Sequence, residues 1–175
     1  MTTATLDRTP VQWTPTLGLE MPVMDDTHEE CVALLAEVVL APDETLLSRW
    51  ALLIDHTQEH FDREDQWMAQ TGFAAGNCHA TQHNVILQVM REGGKRGLMG
   101  ELDLVRQMAY ELGLWLANHI QSMDAALALH LRSAGFDPVT GTVSNPQAFA
   151  GKEIHDCGGG SCGTADSEAE QSVSC

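Results

Sequence analysis

The chain has 175 residues, 43% of them hydrophobic, enough for one domain with a core of its own plus a tail. Its formal net charge of −16 excludes nucleic acid and anionic membrane surfaces, whose phosphates would repel it, and otherwise serves solubility. The N-terminus, MTTATLDRTPVQW, lacks the basic start and apolar run of a signal peptide, no stretch is apolar enough for membrane insertion, and five irregularly spaced cysteines make no disulfide framework, so a reducing cytoplasm is the expected setting.

Helical periodicity runs through four stretches and strand signals are nearly absent. The first helix is predicted over 26–41. Asp26 caps it with Glu29 three residues on, Leu34, Leu35, Val38 and Val39 form its apolar stripe, and Pro42 marks its end. Asp43 is expected to cap the second helix, which turns Trp50, Leu53, Thr57, His60, Glu64 and Trp67 to one side and stops before Gly72. The third opens at Asn77 and runs to Gly93-Gly94, with His79, His83, Ile86 and Met90 along one stripe, and a glycine-rich connector, GGKRGLMG, follows. The fourth starts near Glu101 and points Leu102, Val105, Met108, Leu112, Trp115, Leu116, His119 and Met123 inward, with Gly135 and Pro138 as its stop. Short connections between long helices favour antiparallel neighbours. The expectation is therefore an all-α, antiparallel up-down four-helix bundle over 25–135, preceded by an N-terminal arm over 1–24. From 136 onward Gly, Ser, Thr, Asp and Glu dominate, and 136–175 is expected to be a flexible acidic tail.

Most of the eight histidines fall on these helices and point with the apolar stripes. Residues four apart share a helical face, so His60 lies with Glu64 and His79 with His83. His28 falls in the first turn of the first helix and His119 on the inward stripe of the fourth. A lone inward histidine is ordinarily a core residue with a hydrogen-bond partner. This many, converging with a glutamate from four helices, have too few other polar groups to satisfy them, whereas a metal satisfies them together.

The contexts of these residues are MPVMDDTHEE around His28, HFDRE from His60 to Glu64, CHATQH ending at His83, and WLANHIQSMD ending at Asp124. Their order, H then HxxxE, HxxxH and HxxxxD, one element per helix, resembles the hemerythrin family over about residues 11–135. Trp13 and the following TLGLEMP also resemble the arm that precedes the first helix in that family. The resemblance implies a pair of non-haem irons (Fe2+/Fe3+) joined by an oxo or hydroxo bridge. His79, His83 and His119 would hold one iron, His28 and His60 the other, and Glu64 and Asp124 would bridge them. On two six-coordinate irons this set leaves one position open, which suits a small diatomic ligand. Imidazole and carboxylate donors also suit manganese, zinc or copper. By the same resemblance Trp115, Leu116 and Ile120 flank an apolar oxygen pocket, a role that competes with simple packing.

One spacing is awkward. His119 and Asp124 are five apart, about 140° around an ideal helix, so either Asp124 reaches across from the flank or the turn is distorted, as in a π-bulge. His56, one turn before His60, is a boundary residue with an ordinary partner, or else a group behind the ligands or a replacement ligand. Cys31 and Cys78 read as packing, His130 as surface-facing or packed, and Asp65 as lying behind the ligands or exposed, where relatives often carry a second glutamate.

The function expected is reversible dioxygen binding without catalysis, for storage, buffering or delivery, with an oxygen- or iron-accepting partner as a further possibility. Few anionic ligands among many neutral imidazoles favour holding dioxygen over cleaving it. The alternatives are an oxygen or redox sensor, or a di-iron enzyme handling peroxide, nitric oxide or iron. In the tail, His155, Cys157 and Cys162 flank GGGS, and Cys175 ends the chain. These cysteines are incidental, or they make a small thiol and imidazole site for a soft metal or a reversible disulfide.

Overall fold

The computed structural model describes residues 9–73 and 78–146. Asn77 and the tail residues His155, Cys157, Cys162 and Cys175 lie outside the described residues. An arm with a 3-10 turn at Pro15–Leu17 leads into α1 (Pro22–Leu40), α2 (Asp43–Thr71), α3 (Cys78–Leu98) and α4 (Leu102–His119). The fourth helix continues through a π-helical turn at Ile120–Asp124 into α5 (Ala125–Ser133), and a two-stranded hairpin follows, β1 (Phe136–Asp137) and β2 (Thr142–Val143). Each helix packs on the next, and α4 closes the ring on α1, which is the expected all-α bundle. No helix among the described residues is long and apolar enough to cross a membrane.

Helix α1 starts four residues earlier than the position predicted for it. Pro22 occupies the first turn, where its fixed φ suits a helix and its missing N–H is no loss. Asp25, rather than the exposed Asp26, serves the N-terminus: its carboxylate accepts the backbone N–H groups of Leu19 (2.7 Å) and Met21 (3.1 Å). The same bonds fold the arm back onto α1. Val11 and Trp13 of the arm pack on the core, and Leu17 is buried in it. The carbonyl of Leu19 also accepts a hydrogen bond from Arg132 at the end of α5.

Helix α2 begins at Asp43 itself, with Pro42 as its cap residue, so Asp43 and Glu44 act on the positive end of the helix from its first turn. It ends as predicted at Gly72, whose φ of 66° permits the left-handed cap, and Phe73 N–H reaches back to the Met68 carbonyl at 2.9 Å.

The glycine pair in α3 does not end that helix, which runs on to Leu98. Glycine costs a helix about 1 kcal/mol relative to alanine. Here tertiary packing offsets that cost, because the glycines let α3 lie close against α2 and α4. A Cβ on Gly97 would sit 2.4 Å from Leu47 Cδ2 and 2.9 Å from Val105 Cγ2, whereas one on Gly94 would come no nearer than 3.4 Å to Trp50. Gly97→Val should therefore destabilise the fold by about 1–3 kcal/mol through overpacking, while Gly94→Ala should be neutral or slightly stabilising. Denaturant unfolding at matched metal content checks this; equal effects of the two changes would refute the close approach.

Two apolar clusters fill the bundle. One contains Val38, Leu46, Trp50, Leu53, Met90 and Val105, with the Trp50 indole N–H donating to the Met90 carbonyl at 3.0 Å. The other contains Met24, Trp67, Met68, Phe73, Leu127 and Leu131. The shift in composition at residue 136 does not end the packing. Phe136 is buried against Trp67 with ring centroids 6.2 Å apart, and Ser144 N–H and Asn145 N–H bond the carbonyls of Gly135 and Ala134. A single aromatic in a polar stretch is a weak signal in sequence, but it carries the hairpin.

Candidate metal centre

Between the two apolar clusters, along the same four helices, lie seven buried polar side chains: His28 on α1, His60 and Glu64 on α2, His79 and His83 on α3, and His119 and Asp124 on the last helix. All seven positions singled out in the sequence come together here. The HxxxE and HxxxH pairs meet because residues four apart stack along a helix. The HxxxxD pair meets because the chain is π-helical over Ile120–Asp124. That turn closes bonds five residues apart, and it brings Asp124 Oδ1 to 3.1 Å from His119 Nε2. Of the two geometries open to that spacing, the structure has the distorted turn.

The two carboxylates divide their oxygens. Glu64 turns Oε1 to His60 Nε2 (3.2 Å) and His28 Nε2 (4.0 Å), and Oε2 to His83 Nε2 (3.4 Å) and His79 Nε2 (3.5 Å). Asp124 turns Oδ2 to His28 Nε2 (3.1 Å), and Oδ1 to His79 Nε2 (3.0 Å) and His119 Nε2 (3.1 Å). The donor atoms fall into two groups that could each hold a cation, Glu64, His79, His83, His119 and Asp124 in one, and His28, His60, Glu64 and Asp124 in the other. His83 and His119 face each other through Nε2 at 3.2 Å. Two nitrogens bound at right angles to one metal, with bonds of about 2.1 Å, stand about 3 Å apart.

The interior balance fits cations as well. Nine buried side-chain atoms on His28, His60, Glu64, His79, His119 and Asp124 have no hydrogen-bond partner among the described residues. Several lie near 3 Å from a neighbour but without the angles of a hydrogen bond. A buried polar group left in this state costs about 1–3 kcal/mol, and folded proteins leave few of them. Burial and the neighbouring Asp124 push the Glu64 carboxyl up, but His60 and His79 outweigh them and hold it at about 2. Burial also pushes Asp124 up, and His119, His28 and His79 hold it well below the usual carboxylate range. Burial lowers the His79 pKa, yet the adjacent carboxylates of Asp124 and Glu64 raise it to about 9. Two carboxylates in a dry interior thus demand positive charge, and either imidazole protons or metal ions can supply it. The two compete, because imidazole must be neutral to ligate.

The profile of the Hemerythrin HHE cation binding domain matches residues 21–129. The chain belongs to the hemerythrin family. A bacteriohemerythrin of Ralstonia nicotianae is 32% identical over 127 residues, which cover 73% of this chain and 93% of the relative. Bacteriohemerythrins of Stenotrophomonas maltophilia (28% over 122 residues, 66% of this chain, 78% of the relative) and Pseudomonas paraeruginosa (26% over 117 residues, 65% and 76%) are also similar. No solved structure matches the chain at a comparable level. The chain thus carries a hemerythrin-type metal-binding domain, and the family implies a non-haem iron site.

Around this hemerythrin site, Trp115 is half-buried and stacks on His119 with centroids 4.5 Å apart, while Leu116 and Ile120 are buried. A pocket of about 180 Å³ opens on Trp115 with Trp50, Met90, Met108 and Leu112 in its wall; Leu116 and Ile120 do not line it. Trp13 of the arm lies 6.5 Å from His28, ring to ring.

Other candidates lie outside the cluster. His56 Nε2 donates to the Thr27 carbonyl at 3.1 Å, the ordinary partner of a boundary residue. His130 is buried, paired with the Thr71 carbonyl at 3.1 Å, and burial lowers its pKa. Burial pushes the Cys31 thiol up to about 12, so it packs as an inert group. Two neighbours of the cluster carried little signal in the sequence. Phe61 stacks on His83 at 3.8 Å, and Asp65 Oδ1 accepts from His83 Nδ1 at 3.0 Å. For Phe61 the hint was an apolar residue one step from His60. For Asp65 nothing in helical spacing pointed across to α3.

Proposed function

We propose that the chain binds dioxygen reversibly, for storage, buffering or delivery, at two non-haem irons held by His79, His83 and His119 on one side and His28 and His60 on the other. Glu64 and Asp124 bridge them. The observation that carries this reading is the division of each carboxylate's oxygens between the two histidine groups, which is what a bridge between two metals requires. Two irons would supply the electrons and the open position that dioxygen needs. The chain's own residues supply the rest.

Three imidazoles on one side and two on the other leave the His28 and His60 side one ligand short. Trp115, Leu116 and Ile120 keep water from the His119 side, so charge built up in the site is not discharged by protons from solvent. Two carboxylates among five imidazoles give a site with little anionic charge, which favours holding dioxygen whole.

Repeated cycles of reduction, air and vacuum on the full chain, followed by optical spectroscopy, test this. The reduced protein should be nearly colourless, gain an absorption band in air and lose it under vacuum through several cycles. A band that decays once, with a product released and no recovery on removing oxygen, would replace the carrier with an enzyme. A centre that oxidises and stays oxidised would replace it with a sensor. In the same cycles Leu116→Ala should speed both oxygen release and irreversible oxidation several-fold by wetting the site. Wild-type rates in that variant would show that Leu116 does not shield the site.

A further inference from the structure

We propose that Asp65 is a positioning residue for the metal centre, holding the His83 imidazole in its ligating orientation and making it the strongest donor of the five. The inference rests on the reading above, in which His83 ligates a metal. His83 Nε2 faces into the cluster, towards Glu64 and His119, so a metal there leaves Nδ1 to carry the proton. That nitrogen lies 3.0 Å from Asp65 Oδ1, and the hydrogen bond fixes both the tautomer and the tilt of the ring in its own plane. The Phe61 ring lies flat on the imidazole, centroids 3.8 Å apart and planes 5° apart, and blocks rotation out of that plane.

None of the other four imidazoles is held in this way. The Nδ1 atoms of His28, His60, His79 and His119 have no hydrogen-bond partner among the described residues. An anion bonded to Nδ1 drives electron density towards Nε2, which strengthens the metal bond and favours the metal's higher oxidation state. Asp65 thus makes the two sides of the centre unequal beyond their ligand counts, steadying the ion of the His79, His83 and His119 group. Its side chain is 39% exposed, so it can be changed with little disturbance of the core.

The test uses full-length Asp65→Asn and Asp65→Glu, with iron retention against graded chelator and the midpoint potential as readouts. Asp65→Asn, nearly the same shape without the charge, should weaken iron retention about 10–100-fold and raise the midpoint potential. Asp65→Glu should restore most of both, and the thermal stability of the metal-free proteins should not differ. Wild-type retention and potential in Asp65→Asn, with two irons in the wild type, would overturn the proposal and leave the di-iron reading standing. Equal losses in both variants with a less stable metal-free fold would also overturn it, reducing Asp65 to a structural contact. A wild-type chain that holds no iron would remove the reading and the proposal together.

Discussion

Glu64→Ala and Asp124→Ala should each strip the protein of most of its iron, whereas His28→Ala should lose metal chiefly from one of two positions. Loaded with ferrous iron, the wild-type chain should hold about two irons, as bundle sites built from facing helices do. Each carboxylate presents one oxygen to each histidine group, so its removal weakens both metal positions at once. His28 approaches only Oε1 of Glu64 and Oδ2 of Asp124, and belongs to the smaller group alone. Metal analysis after gel filtration, with circular dichroism to show that the variants remain helical, measures this. One zinc per wild-type chain, or full iron in Glu64→Ala, would refute the paired site.

Removing the metal should lower the thermal midpoint by roughly 8–16 °C. This follows because a ligand at a thousand times its dissociation constant stabilises by about 4 kcal/mol, and 1 kcal/mol shifts a chain of this size by about 2–4 °C. The metal-free protein should also show a pH dependence of its own, set by protons on the site rather than by metal. Glu64 is depressed from 4.5 to about 2, so its contribution is present above 4.5 and fades as the pH falls towards 2. His79 is raised from 6.5 to about 9, so its contribution is complete below 6.5 and is lost as the pH rises through 9. Metal-free stability should therefore peak between those two unfolded values and fall on either side. Thermal unfolding of chelated protein from about pH 2.5 to 9.5 measures it, and a flat profile would show that protons do not stand in for the metal.

The helices that build the site were legible in the sequence because one rule, four residues to a shared face, governs both the apolar stripes and the His60/Glu64 and His79/His83 pairs. The rule fails where backbone or tertiary terms override spacing. Asp124 stacks on His119 only because the helix is locally π-helical, and spacing alone left that open. Gly93 and Gly97 lie in a stretch that looks like a connector, but they are packing sites, since close approach of α2 and α4 outweighs poor propensity. Helix α1 starts at Pro22, four residues before the predicted cap, and Asp25 rather than Asp26 serves its end although the two look alike in sequence. Only the position of the Leu19 and Met21 amides distinguishes them. The Asp65 to His83 contact joins two helices, and no pattern within either one encodes it.

The arm has a consequence for how the molecule is made. Leu19 is tied by its N–H to Asp25 at the start of the first helix and by its carbonyl to Arg132, 113 residues on, at the end of the last. The candidate ligands reach nearly as far, 96 residues from His28 to Asp124. A ribosome adding about 5–20 residues per second needs roughly 5–20 s to travel between them. Until its end the other six, His28, His60, Glu64, His79, His83 and His119, accumulate without Asp124, and the arm has nothing at the far end to close on. Completion of the site and closure of the arm thus follow closely on each other in the order of synthesis, Asp124 and then Arg132, after every other helix is already available to pack.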